Sequence, residues 1–120
     1  MQSFLFFAYY IHFGKEKQTM LNRIIIQGNI ATDPTNDRVR GSKGDDITKT
    51  RFRIAVNNQD TTTFFNVSLL GSRAEALIKH CKKGDQIIVD GEMSSFRNKE
   101  NTEIYVINGR QFHFCGKKNN

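Results

Sequence analysis

The chain has 120 residues, 38% of them hydrophobic, which is enough for one compact core and too few for two ordinary domains. Eighteen Lys and Arg against twelve Asp and Glu give a net charge of +6, a balance that favours a polyanionic partner such as nucleic acid or an anionic membrane surface. Two cysteines, Cys81 and Cys115, with no CxxC pair, speak against a disulfide framework and for reduced thiols in the cytoplasm.

Residues 4–13 form an apolar, aromatic-rich run that is too short to span a bilayer. No basic residue precedes it and no small-x-small cleavage site follows it, so it does not read as a secretory signal. The Asn66-Val67-Ser68 glycosylation sequon is then a chance match. Met20 reads as the natural start, with residues 1–19 an upstream or appended, dispensable extension. Losing them removes Lys15, Glu16 and Lys17, so the basic balance belongs to what remains.

Residues 23–30 are mostly apolar and β-branched and predict a strand. Residues 33–46 are rich in Gly, Asp, Asn, Thr and Arg and hold the sole proline, Pro34; they read as a long loop or ragged hairpin. Residues 50–57 alternate, with Phe52, Ile54 and Val56 on one face and Arg51, Arg53 and Ala55 on the other. After a short turn at 58–61, the strand at 62–70 turns Phe65, Val67 and Leu69 inward and leaves Phe64, Asn66, Ser68 and Leu70 outside. The period then becomes helical. Ser72 with Glu75 makes a capping-box signature, and Ala74, Leu77, Ile78 and Cys81 form one apolar stripe. Lys79, Lys82 and Lys83 suit the C-terminal dipole, and Gly84 is placed to end the helix. Residues 86–96 return to strand with Ile87, Val89 and Met93 inward. A polar turn at 98–102 leads to a last strand from 103 toward 112, broken at Asn108-Gly109. Five strands with one helix between the third and fourth is the order of an all-β OB-fold barrel.

Several of these pieces, in order, resemble the bacterial and phage single-stranded-DNA-binding protein family. They are MLNR at 20–23, GNIATDP at 28–34, FRIAVNN at 52–58, FFNVSLLGSRAE at 64–75 and KKGDQIIVDGEM at 82–93. A lone GNxxxDP would carry little; the ordered set covers nearly all of residues 20–106. The resemblance implies one OB-fold at 20–115 that coats single-stranded DNA in replication, recombination and repair, as a homotetramer, with no cofactor. It also implies that Phe64 stacks a base from the third strand and that Phe96, outward on the fourth, lies near further DNA-contacting positions.

Single strands are held by aromatic faces and by cations tracking the phosphates. Arg51 and Arg53 share one strand face and are the first phosphate candidates, followed by Arg23, Arg38, Arg40, Lys43, Lys49, Arg73, Arg97 and Lys99. An outward Phe can instead bury itself between subunits, and a strand-face Arg can merely keep that face soluble. Phe52, Phe65 and Phe112 read as core. His80-Cys81 and His113-x-Cys115 invite a zinc reading, but the helix stripe claims Cys81 for the core, so no metal is expected. The adjacent Asp45-Asp46 pair does not converge on one bond, and no GxxxxGK[ST] occurs, so an enzyme is not expected.

The chain departs from the family pattern in three ways. It has no tryptophan, so Phe must supply the stacking. The loop between the second and third predicted strands and the fourth hairpin look short. The chain ends in a basic stretch, residues 116–120, where the family commonly carries a partner-recruiting tail with an acidic tip. Two other functions fit the same barrel: a replication adaptor of the primosome type that chiefly binds protein, and an RNA-binding OB module.

Overall fold

The computed structural model of the chain describes residues 19–117. The expected extension, apart from Thr19, and the last three residues of the basic tail lie outside the described residues.

Strand β1 (Ile24–Ile30) is followed by a short strand β2 (Asp37–Arg40) and two long ones, β3 (Asp46–Asn58) and β4 (Thr61–Leu70). Helix α1 (Ser72–His80) leads into β5 (Gln86–Arg97) and β6 (Glu103–Gly116). The strands run β1-β5-β6-β4-β3-β2, and β1 also pairs with β3 at Asn29↔Ala55 and Ile30↔Ile54. Five strands thus close on themselves as an OB-fold barrel, and β2 hangs from the outer edge of β3. Closure on the other side is parallel, β4 to β6 at Val67↔Ile107 and Ser68↔Asn108. It takes a close approach where β1 crosses β3. A Cβ on Gly28 would sit 2.3 Å from the backbone oxygen of Ala55, so only glycine fits there.

Alternation fills the barrel. Phe52 and Ile54 from β3, Val67 and Leu69 from β4, Ile87 and Val89 from β5, and Ile107 from β6 are buried around the ring with Ile30. Each such side chain removed from water contributes about 1.5–3 kcal/mol. Helix α1 stops one end of the barrel with Ala74 and Leu77, and Cys81 follows them into the core. Burial pushes the Cys81 thiol up, with the Asp85 carboxylate adding to it.

Of the two readings of 33–46 the hairpin holds, because Val39 and Ile47 give it an alternation that pairs β2 with β3; β2 stays outside the five barrel strands, and the helix falls between the third and fourth of those, β4 and β5. Other expectations need correction. The capping box does not form. The N-cap is Gly71 at φ 69, with no side-chain cap, and Glu75 instead accepts from the Thr48 hydroxyl at 3.2 Å. Nor does Gly84 end the helix, which stops at His80 with Cys81 extended. Gly84, at φ 98, turns the chain into β5, and its amide donates to the Ile30 carbonyl at 2.7 Å. The last strand is unbroken at Asn108-Gly109 and runs on to Gly116; a register shift there leaves Arg110 bulged opposite β5. Ser68 is buried beneath its neighbours, and Phe65 and Phe112 are half-buried against the core.

Candidate nucleic-acid interface

Beyond the barrel proper, β5 and β6 continue as a two-stranded arm, Phe96 opposite Ile104 and Ser94 opposite Val106. The arm overhangs the outer face of β3 and β4. Between them runs a groove of about 510 Å³, lined by Arg51, Arg53, Asn66, Phe96, Ile104 and Val106, with Thr32, Asp33 and Thr35 along its far wall. The structure therefore brings Phe96 to the same groove as Arg51 and Arg53, although they lie more than forty residues apart in sequence.

Pairing sets the outward positions. Arg51 stands opposite Ser68, Arg53 opposite Asn66 and Ala55 opposite Phe64. One step along the strands, the Arg53 guanidinium lies over the Phe64 ring, 4.6 Å from its centre. That geometry is a cation–π contact. Phe64 is 47% exposed and Phe96 55%. Large aromatics left this open on a barrel face are available to a ligand or to another surface.

The wall of the groove is held by its own hydrogen bonds. The Thr32 hydroxyl accepts from the Arg53 amide, and the Thr35 hydroxyl from the Arg51 amide, each at 2.9 Å. Thr35 in turn donates to the Asp37 carboxylate, which also receives Arg51 Nη2 at 3.0 Å. The Thr35 hydroxyl first, then Arg51, holds the Asp37 carboxyl below the usual carboxylate range. Arg51 thus reaches the groove already paired, whereas Arg53 has no carboxylate partner among the described residues.

The other candidates do not line this groove. Arg23 lies on the β1 side, where its Nε and Nη2 donate to the two oxygens of Asp90 at 3.1 and 2.7 Å. Arg40 and Lys43 are exposed on the β2–β3 hairpin, and Lys49 stands opposite Asp37. Arg38 donates to Thr48 at 3.4 Å. Arg73 lines a smaller groove with Arg110, Ser68 and Asn108. Arg97 is folded onto the arm's own turn through the Asn101 carbonyl at 2.8 Å, and Lys99 is exposed on that turn. Sequence reading missed Asn66, Ile104 and Val106 as groove lining, and Asp37 as the partner of Arg51. The alternation of β4 already placed Asn66 outward; the arm residues carried no such signal, because their phase depends on the bulge at Arg110.

Cys115 is exposed and Cys81 buried, and among the described residues no cluster of His, Cys, Asp and Glu could hold a metal ion. No helix among them is long and apolar enough to cross a membrane.

A profile of the single-strand binding protein family matches residues 21–113. The chain is 31% identical over 94 residues to a protein of Onion yellows phytoplasma (strain OY-M) named single-stranded DNA-binding protein, covering 72% of this chain and 89% of that one. Its backbone is similar to the SSB domain of a Synechococcus sp. protein, with a TM-score of 0.63 over 81% of this chain and 99% of the other. At 14% identity that likeness speaks for the fold alone.

Proposed function

The chain belongs to the single-strand binding protein family, and we propose that it binds single-stranded DNA without sequence preference and protects it in replication, recombination and repair. The observation that carries this reading is the groove in which Arg51, Arg53 and Phe96 converge, with Phe64 stacked beneath Arg53. Phosphates need cations along a track, and unpaired bases need flat apolar surfaces; this groove offers both within one face. Every base has a π-face, so no hydrogen-bond code is required. A duplex hides those faces and is the poorer ligand.

In this reading Phe64 and Phe96 stack bases, and Arg51 and Arg53 hold the phosphates between them. Lys49, Arg40 and Lys43 extend the positive track along the β2–β3 hairpin, Arg73 and Arg97 lie at its margins, and Arg23, already neutralised, contributes least. The protein is a binding module rather than an enzyme. It acts as a homo-oligomer, a tetramer, which the exposed apolar Leu21, Ile25 and Leu70 outside the groove support. Free thiols at Cys81 and Cys115 suit a cytoplasmic setting. Residues 20–115 suffice for binding, so deleting 1–19 leaves melting temperature and DNA affinity unchanged.

The test is one titration of matched DNA and RNA oligonucleotides, single- and double-stranded, at several salt concentrations. Single-stranded DNA should bind best, with log K falling by about 0.7 per phosphate contact for each unit of log salt. A flat salt response, or equal affinity for duplex, overturns the reading; preference for RNA moves it to the RNA-binding class.

A further inference from the structure

A second groove, of about 350 Å³, opens beside the first, lined by Phe64, Phe65, Asn66, Met93, Glu103, Ile104 and Tyr105. We infer that it is a second base-binding slot, in which a nucleobase of the same single strand stacks on Tyr105 against Phe64. This rests on the single-stranded-DNA reading and adds a residue and a path to it.

The position of Tyr105 follows from pairing. Ile107 is the last fully buried residue of β6, opposite Met93, and Tyr105 keeps its inward phase opposite Ser95. At that point the arm has left the barrel, so the ring emerges at the barrel mouth and is 54% exposed. Its backbone is pinned: the Asn66 side chain donates to the Tyr105 carbonyl at 3.1 Å, just past the parallel β4–β6 pairing at Val67↔Ile107. A rigid backbone under an exposed ring is what a stacking platform requires, because little order is left to impose on binding.

Two observations select a base as the occupant. The grooves adjoin across one ridge, since Asn66 and Ile104 line both of them. A strand leaving Phe96 therefore crosses this ridge directly into the second slot. The charge distribution then separates the parts of the nucleotide. No Lys or Arg lines the second groove, and its one carboxylate is that of Glu103. A phosphate is repelled there, whereas a base ring is not; the phosphate stays in the first groove, where Arg53 lies over the Phe64 ring.

The chain has no tryptophan, so Tyr105→Trp creates a single fluorescent reporter in the slot. Oligo(dT) titrated into the full-length variant should quench its emission in step with binding measured by anisotropy of a labelled oligonucleotide. Tyr105→Ala should weaken binding by about ten-fold or more with an unchanged salt slope, and Tyr105→Phe should stay within about two-fold of wild type, because the ring does the stacking. Unchanged emission during binding, or wild-type affinity of Tyr105→Ala, overturns the inference and leaves the proposed function standing. A Tyr105→Ala variant that binds normally but changes its sedimentation also overturns it, in favour of an interface between copies of the chain. If the wild-type protein binds no single-stranded DNA, both readings fall.

Discussion

Arg53 and Arg23 both sit on the outside of one barrel, and their circumstances are opposite. Arg53 lies over the ring of Phe64 with no carboxylate paired to it among the described residues, on a face where two aromatic rings stand open. Arg23 is clamped by both oxygens of Asp90 across β1 and β5. A surface cation serves a polyanion most readily where the fold has not already supplied it with an anion, because exchanging one partner for another gains little. The net charge of +6 is therefore a poor guide to the binding face. The distribution of unpaired cations beside exposed rings is a better one.

The largest expected effect falls where the two faces are joined. Gly28→Ala should push β1 off β3, since the new Cβ would meet the Ala55 carbonyl, which belongs to the backbone and cannot rotate away. The cost should be about 3 kcal/mol or more of folding stability, the upper end of overpacking effects. Urea unfolding followed at both faces should show a single shifted transition. A wild-type midpoint would mean that β1 and β3 are looser than their register implies.

Smaller, and confined to one face, is the loss expected from Phe64→Ala. DNA affinity should fall by about 1–3 kcal/mol while the fold survives. Ile25→Ala, at an apolar residue on the β1 face that is more exposed still at 59%, should leave the affinity of each protomer unchanged. Equal losses from the two variants would erase the distinction between the faces. Normal binding by Phe64→Ala together with a dissociated oligomer would make Phe64 an interface anchor and pass the stacking role to Phe96.

The arginines themselves give the next step down. Arg53→Ala should reduce the salt slope by about 0.7, one phosphate contact. Arg23→Ala should leave the slope as it was, because its charge is already matched within the protein. A slope change in both would show that the Asp90 pair opens to accept phosphate.

How much of this the sequence carries differs between strands. The two faces of β3 are legible because alternation at 51–56 is strict and one face is buried, so Phe52 and Ile54 could only go inward. The outward phase of Phe64 follows from the same logic on β4. The start of α1 is not legible in the same way: Ser72 and Glu75 have the right spacing, but Glu75 is taken by Thr48, a residue of β3 that only the tertiary fold brings near. The state of Arg51 is hidden for a similar reason, since Asp37 reaches it through the β2–β3 register. The site on the arm is the least visible, because the shift that leaves Arg110 without a residue opposite it on β5 decides which side Ile104 and Tyr105 face.

The smallest effects are those of acid, and they sharpen the comparison because each face has one depressed carboxyl. Hydrogen bonds from Arg23 hold the Asp90 carboxyl below its usual 3.8, against the opposing effect of burial. Those from Thr35 and then Arg51 do the same for Asp37. A group whose folded pKa is lowered contributes stability that is complete above the usual value and is lost as pH falls through the folded one. Both contributions therefore disappear in the acid range below 3.8. Asp90→Asn should flatten the fall of the urea midpoint in that range while leaving DNA affinity at neutral pH unchanged. Asp37→Asn should flatten it less, since its partner Arg51 is 61% exposed and the acid itself 38%. At neutral pH, however, it frees Arg51 beside the groove and removes a nearby negative charge, so single-stranded DNA should bind a few-fold more tightly and with a steeper salt slope. Tighter binding from Asp90→Asn would mean that a freed Arg23 also reaches the strand; weaker binding from Asp37→Asn would mean that the pairing of Arg51 positions it for phosphate rather than withholding it.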